Sequence, residues 1–433
     1  MYPRACSYTC PSAPKAHRFA ALRLGALALA SLVMAACASV PPLQPRASSW
    51  SYAQSLREAD VILATPQGSR RSIQLIAAIR ARLGDHDGAI SEADAEFPVR
   101  KPMPSPDLSK DRAEDAIAAI LREAAGRQIV ILNENHYVPM HRAFSMRLAR
   151  ELRKLGFEYL AAEAFSPFVD LNVGALVQSS GGYLADPVFA EFIRDARRDG
   201  WKLVGYEAQK PVDRSLPIAD QIRQREREQA QNLVDGILKQ TPGAKIFIHV
   251  GFGHVLKTPQ RIGSEQTVLW MAGELRLLTG IDPLTIDQSL TFEHPDQARE
   301  LPGYRAALAQ SPGVSPFVLK QPDGGYRQLG YQPGSVDMQV FHPPSPLIQG
   351  RSGWLTTLAE RRPFPVPDAW LPKQGRRLIY AMHEGDPPQA IPADIVILEP
   401  DKPAPALMLP AGKFRFEFEE LNVRADDLKP GLQ

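Results

Sequence analysis

The sequence predicts an α/β fold: a mainly parallel sheet flanked by helices, followed by a Pro-rich, mostly β or irregular C-terminal region. Two observations carry this. From about Arg112 to residue 290, short continuous apolar runs alternate with longer segments of helical periodicity, the pattern of βα units around a buried parallel sheet. Beyond residue 300 that rhythm fades, and residues 301–433 hold 20 of the 40 prolines. No repeat of 20–50 residues is visible, which excludes a solenoid.

The chain has 433 residues, 44% hydrophobic and 23% charged, an ordinary globular balance. Residues 1–36 read as a signal peptide. They carry Arg4, Lys15, Arg18 and Arg23 without an acid, and an apolar run extends from Phe19 to Ala36. Met34-Ala35-Ala36-Cys37 matches a bacterial lipoprotein box, in which the Cys37 thiol is diacylated. The three cysteines are Cys6, Cys10 and Cys37, so only Cys37 survives processing and no disulfide can form within the chain. Two acyl chains suffice for stable anchoring. Ala38 after the cysteine, by analogy with enteric lipoprotein sorting, favours the outer membrane. Four of the 50 cations leave with the signal, so 46 remain against 48 acids, which gives no reason to expect nucleic-acid binding.

Residues 37–68 read as a tether, beginning with the Pro-rich Val40–Pro45 stretch. Residues 69–111 read as a helical or loop extension, with a helix near Ser72–Leu83. Asp85–Asp94 has the acids and Gly88 of the second part of a calcium loop, but position one would be Leu83, which cannot ligate. An acidic turn before a helix is the expected reading. Residues 112–300 form the expected α/β domain. Helix Ala113–Arg127 leads into Ile129–Leu132, Pro139–Leu155 into Tyr159–Ala162, and Pro187–Arg198 into Lys202–Gly205. Pro217–Lys239 leads into Ile246–Val250, and Thr267–Leu278 into Leu284–Ile286. In residues 301–433, strands are expected at Leu378–Ala381, Asp394–Leu398 and Lys413–Glu419.

Ligands of open parallel sheets bind beyond the carboxyl ends of the strands. Four successive strands there run into ionisable residues: Asn133-Glu134-Asn135-His136, Glu163, Tyr206-Glu207 and Gly251-Phe252-Gly253-His254. The glycines around Phe252 would let the backbone turn and face His254 to a cleft. His141 and Arg142 would line its rim. The run Arg223–Asn232 reads as a solvated helix face, from which one arginine, Arg225, would turn inward. Without it, Glu134, Glu163 and Glu207 would repel one another. His249, inside an apolar run, is expected to be a core histidine.

These motifs resemble, in order, those of the erythromycin esterase / ChaN / Tiki-like superfamily. Asn133–Arg142 is similar to its Gly-Glu-x-His opening, and Glu163 fits its second acid. Arg225–Asn232 resembles its helical Arg-Asp-x-x-Met-Ala-x-Asn segment, and Gly251–His254 its late Gly-x-Gly-His. The match spans about residues 112–290. Asn133 replaces the usual Gly, at a position where Asn would tolerate left-handed backbone. The Glu-x-His spacing is that of the haem-uptake branch. The resemblance implies ester hydrolysis, metal-dependent peptide hydrolysis or haem binding.

Two histidines and three glutamates suit a hydrolase acting on a small-molecule or peptide substrate. A divalent metal, Zn or Mn, would be held by Glu134, His136 and His254; alternatively, His136 or His254 is a general base oriented by a Glu. No Gly-x-Ser-x-Gly elbow is present. The rival reading is haem capture by exposed Tyr137, His141 or Tyr206, and a third is a non-catalytic envelope scaffold.

Overall fold

The computed structural model describes residues 40–64, 70–96, 106–262, 266–311, 313 and 315–421; the signal peptide and Cys37 lie outside them. The described residues from Pro41 onward form one compact unit. At its centre is a six-stranded, all-parallel sheet in the spatial order Met338–Gln339, Leu284–Asp287, Ile129–Glu134, Ile246–Gly251, Tyr159–Ala162, Lys202–Gly205. The α/β expectation holds, and the five strands expected in residues 112–300 are present. The two central strands, Ile129–Glu134 and Ile246–Gly251, are buried along their whole length. They pair in register from Ile129↔Ile246 to Glu134↔Gly251. That register fixes the site, because it ends both strands at the same level, one on an acid and one on a glycine.

Helices cover the sheet through apolar stripes. Pro139–Lys154 starts on a proline at its first turn and buries Ala143, Phe144, Leu148 and Leu152. Pro187–Arg198 is capped by Asp186, which accepts from the Val188 and Phe189 amides at 2.7 and 2.8 Å. Ile218–Leu233 continues into a π turn, Val234–Leu238.

Several expectations are corrected. Residues 112–115 form a strand, not the first turn of a helix; they pair antiparallel with Phe317–Lys320, and Asp115 then caps Ala116–Ala124. Thr267 belongs to a short strand, and the helix there begins at Met271. The tether is built into the fold from Leu43. Leu43–Pro45 pairs with Phe416–Phe418, and Tyr52, Ala53, Leu56 and Ala59 pack with Leu378 and Tyr380 in one core. The C-terminal region packs on the α/β body. Besides its own strands, Arg376–His383, Asp394–Leu398 and Phe414–Leu421, it supplies the sixth strand of the central sheet. Asp85 is a helix cap: its carboxylate accepts from Gly88 N and Arg80, while Asp94 pairs with His294, so this stretch gathers no calcium ligands.

Candidate functional site

Glu134 ends the first central strand with 1% of its surface exposed. Arg142, one turn into the following helix, donates from Nε to Oε2 at 2.7 Å and from Nη2 to Oε1 at 2.9 Å. Burial opposes the Glu134 charge, but Arg142, His136 and His249 overcome it and hold the carboxyl far below its usual range. Arg142 is therefore a buried counter-ion and not a rim residue. His136 Nδ1 lies 3.0 Å from Glu134 Oε1. Its ring stacks on Tyr183, with centroids 3.8 Å apart and planes 11° apart, and meets the edge of Phe252. Nε2 of His136 has no hydrogen-bond partner among the described residues, and the side chain is 14% exposed.

Glu163 follows the Tyr159–Ala162 strand. Its Oε2 accepts from Gly251 N at 2.7 Å and its Oε1 from Arg225 Nη2 at 2.6 Å. Burial raises its pKa, but His254, His136 and Arg225 outweigh that and bring it to about 2. Arg225 also donates from Nη2 to Glu207 Oε2 at 2.6 Å and from Nε to Oε1 at 3.1 Å. It is the inward arginine the carboxylates require. Glu163, Glu207, Arg225 and Tyr183 line an open cleft of about 710 Å³, with Arg82 on its wall.

His254 is placed differently from the expectation that it faces the cleft. It sits in a short 3₁₀ turn, Phe252–Val255, and is 6% exposed. Both ring nitrogens are engaged. Nδ1 lies 2.6 Å from Glu226 Oε2, and Nε2 lies 3.0 Å from Arg225 Nη1 and 3.5 Å from Glu163 Oε1. Burial opposes its charge, yet Glu163 and Glu226 together raise its pKa. Glu226 is the residue that sequence reasoning missed, inside a run taken as solvated. It is 1% exposed and also accepts from Met271 N at 2.9 Å. Its signal was helical phase, since the buried Ala219, Glu226, Gln229, Ala230 and Leu233 share one face.

The turn at Gly251–Gly253 works in a way the sequence does not announce. The left-handed residue is Phe252, at φ +39°, and not either glycine. A Cβ on Gly251 would stand 2.6 Å from His136 Nε2 and 2.9 Å from Glu163 Oε2, so this glycine makes room for both. Asn133 has ordinary extended backbone. Its side chain instead clamps the turn, donating to Phe252 O at 2.9 Å and to Asp287 at 2.7 Å.

The structure thus brings these residues into two adjoining groups, Glu134 with His136 and Glu163 with Glu207, Arg225 and His254, which meet at Gly251. It does not arrange Glu134, His136 and His254 as metal ligands. Arg142 lies across both Glu134 oxygens, and both nitrogens of His254 are used; no group of three His, Cys, Asp or Glu suited to a metal ion occurs among the described residues. The haem candidates are also misplaced. His141 and Tyr206 are buried, at 0% and 1% exposure, His141 Nδ1 accepting from Asn135 N; only Tyr137 reaches a cavity. His249 is buried behind Glu134, its Nε2 3.7 Å from Oε2.

No protein-family model and no curated protein matches the chain. Among solved structures, the type III effector HopBA1 is similar at 15% identity and TM-score 0.29, covering 47% of this chain and 95% of its own. A bacterial protein toxin structure is similar at 13% identity and TM-score 0.29, covering 55% and 57%. RRSP, a MARTX toxin effector domain from Vibrio vulnificus, is similar at 14% identity and TM-score 0.28, covering 51% and 44%. Likenesses at this level identify neither an activity nor a fold family. Among the described residues, no helix is long and apolar enough to cross a membrane.

Proposed function

We propose that this chain is a lipid-anchored envelope hydrolase that cleaves an ester or peptide bond with water, using His136 as general base. One observation carries the reading. His136 has its Nδ1 held by a buried, ionised Glu134, its Nε2 has no partner among the described residues, and its ring stacks on Tyr183, which lines the open cleft. An acid on one imidazole nitrogen fixes the proton there and leaves the lone pair of the other for a proton in flight. His136 Nε2 takes a proton from water as the water oxygen attacks the carbonyl carbon; when the tetrahedral intermediate collapses, the C–O or C–N bond breaks and His136 returns that proton to the departing alcohol or amine. Tyr183, on the cleft wall, has a hydroxyl with no hydrogen-bond partner among the described residues; burial, Glu163 and Glu134 raise its pKa and keep it a donor for the developing oxyanion. Arg225 neutralises Glu163 and Glu207, and His254 with Glu226 holds Arg225 in place. The bound species is a small ester or peptide that fits about 710 Å³.

Purified protein assayed against ester and peptide panels tests this. His136→Ala should lower the rate by about 10²–10⁴. Full activity in that variant would refute the reading. Anchoring is tested separately: mass spectrometry should find a diacylglyceryl peptide beginning at Cys37, and Cys37→Ala should release the protein from membranes.

A further inference from the structure

We propose that a second cavity, between the first turn of the His86–Asp94 helix and the loop around Phe292–His294, binds a small arylalkylamine. The cavity measures about 340 Å³ and shares no lining residue with the cleft of Glu163, Glu207, Arg225 and Tyr183, so the inference stands apart from the hydrolase reading. Its inner wall is apolar: Ile90, Met140, Phe292 and Trp354 belong to one buried cluster that reaches it.

One polar group is buried in that wall. His86 is 7% exposed, with Nδ1 2.9 Å from Ser352 Oγ and Nε2 lacking a partner among the described residues. Burial, with Arg351 and Arg361 nearby, pushes its pKa down to about 3, so the imidazole stays neutral and offers a hydrogen bond without charge. The rim carries two acids, Asp87 and Glu293, and one cation, Arg305. Asp87 and Glu293 come from different elements and face the same space. Burial and Asp85 raise the pKa of Asp87, and no cation offsets them. Glu293 is 3.7 Å from Arg305, but that guanidinium is engaged by Glu300, with Nε 2.7 Å from Oε2. Burial raises Glu293 as well, and Glu300 and Asp87 add to it against Arg305. Asp94 is already paired with His294, and no group of three His, Cys, Asp or Glu suited to a metal ion occurs among the described residues.

Two under-neutralised carboxylates over an aromatic pocket complement an ammonium head on an apolar body. The head would sit at the acids, within reach of the Trp354 face, and the body against Phe292 and Met140.

Isothermal titration of the full-length protein at pH 7 with phenethylamine and with phenylacetate tests this, because the two share a ring and differ in charge. Phenethylamine should bind one to one and at least about tenfold more tightly than phenylacetate. The double variant Asp87→Asn/Glu293→Gln alters exposed side chains. It should lose about tenfold in affinity while its melting temperature stays that of the parent. Absence of binding at millimolar phenethylamine, equal binding of phenylacetate, or undiminished binding by the double variant would each overturn the proposal. The comparison of the two ligands on the parent protein needs no variant to fold.

Discussion

His136 and His254 differ in what surrounds their nitrogens, and that difference separates catalysis from support. His136 keeps one nitrogen free, and its Glu134 partner remains paired with Arg142 if the imidazole is removed. His136→Ala should therefore lose activity with little loss of stability. His254 has no free nitrogen, and Glu226 depends on it. Removing it leaves the buried carboxylate with the Met271 amide and Arg225 Nη1 at 3.9 Å, a deficit of about 1–3 kcal/mol. His254→Ala should thus lower both the melting temperature and the rate, whereas His254→Gln, which can donate to Glu226, should recover part of the stability. Thermal melts beside rate measurements check this. If His254→Ala melts like the parent while His136→Ala does not, the two roles have been assigned the wrong way round.

At the scale of elements, the two central strands end level and the turn after the second is cut to fit His136. Gly251 and Gly253 look equivalent in sequence but are not in space. A Cβ on Gly251 would enter the space of His136 and Glu163, and His136 cannot retreat because Tyr183 and Phe252 enclose its ring. A Cβ on Gly253 meets nothing closer than Trp270 at 3.5 Å. Gly251→Ala should therefore cost on the order of 10²-fold in rate, the scale of a misplaced catalytic group, while Gly253→Ala stays near parent activity. Equal effects of the two changes would argue against this packing. The strands were legible because apolar runs of four to six residues between helical segments have few other readings. The acids at their ends were legible for the same reason, since the strand rule says where a cleft must lie. Three features were not. Ala113 to Asp115 read as helix because the Phe317–Lys320 strand that recruits them lies two hundred residues away. Glu226 was hidden among charges, and only helical phase separates it from its exposed neighbours. His254 looked like a cleft residue, because flanking glycines do not reveal that Phe252 takes the left-handed turn and directs the imidazole inward.

Over the whole molecule, the chain closes on itself, with Leu43–Pro45 against Phe416–Phe418 and the sixth sheet strand supplied from Met338–Gln339. Folding this single body buries histidines from distant parts of the sequence, and their titration sets its acid stability. Burial holds His86 at about 3, His249 at about 4 and His342 at about 3, and burial with His342 holds His141 well below its ordinary value. Each folded value lies below the unfolded one near 6.5. Below that pH the unfolded chain binds protons that the folded chain refuses, so stability falls as pH falls. At pH 5 the loss approaches roughly 2 kcal/mol for each such histidine, and a few of them rival the whole stability of a domain. Glu163 and Glu191, both held near 2, contribute in a lower window. Their stabilisation is complete above about 4.5 and is lost as pH drops toward 2. Both windows carry the same sign; His254, raised in the folded protein, acts in the opposite sense, but it is one group against four lowered histidines, so a net loss is expected toward acid. Urea unfolding at pH 7, 6 and 5 should show a midpoint that drops at each step, with protons taken up on unfolding. His342→Gln should flatten that slope by about one proton, because His342 lies at 0% exposure and burial depresses its pKa. A midpoint unchanged between pH 7 and pH 5 would mean that these histidines are not held neutral in the folded protein.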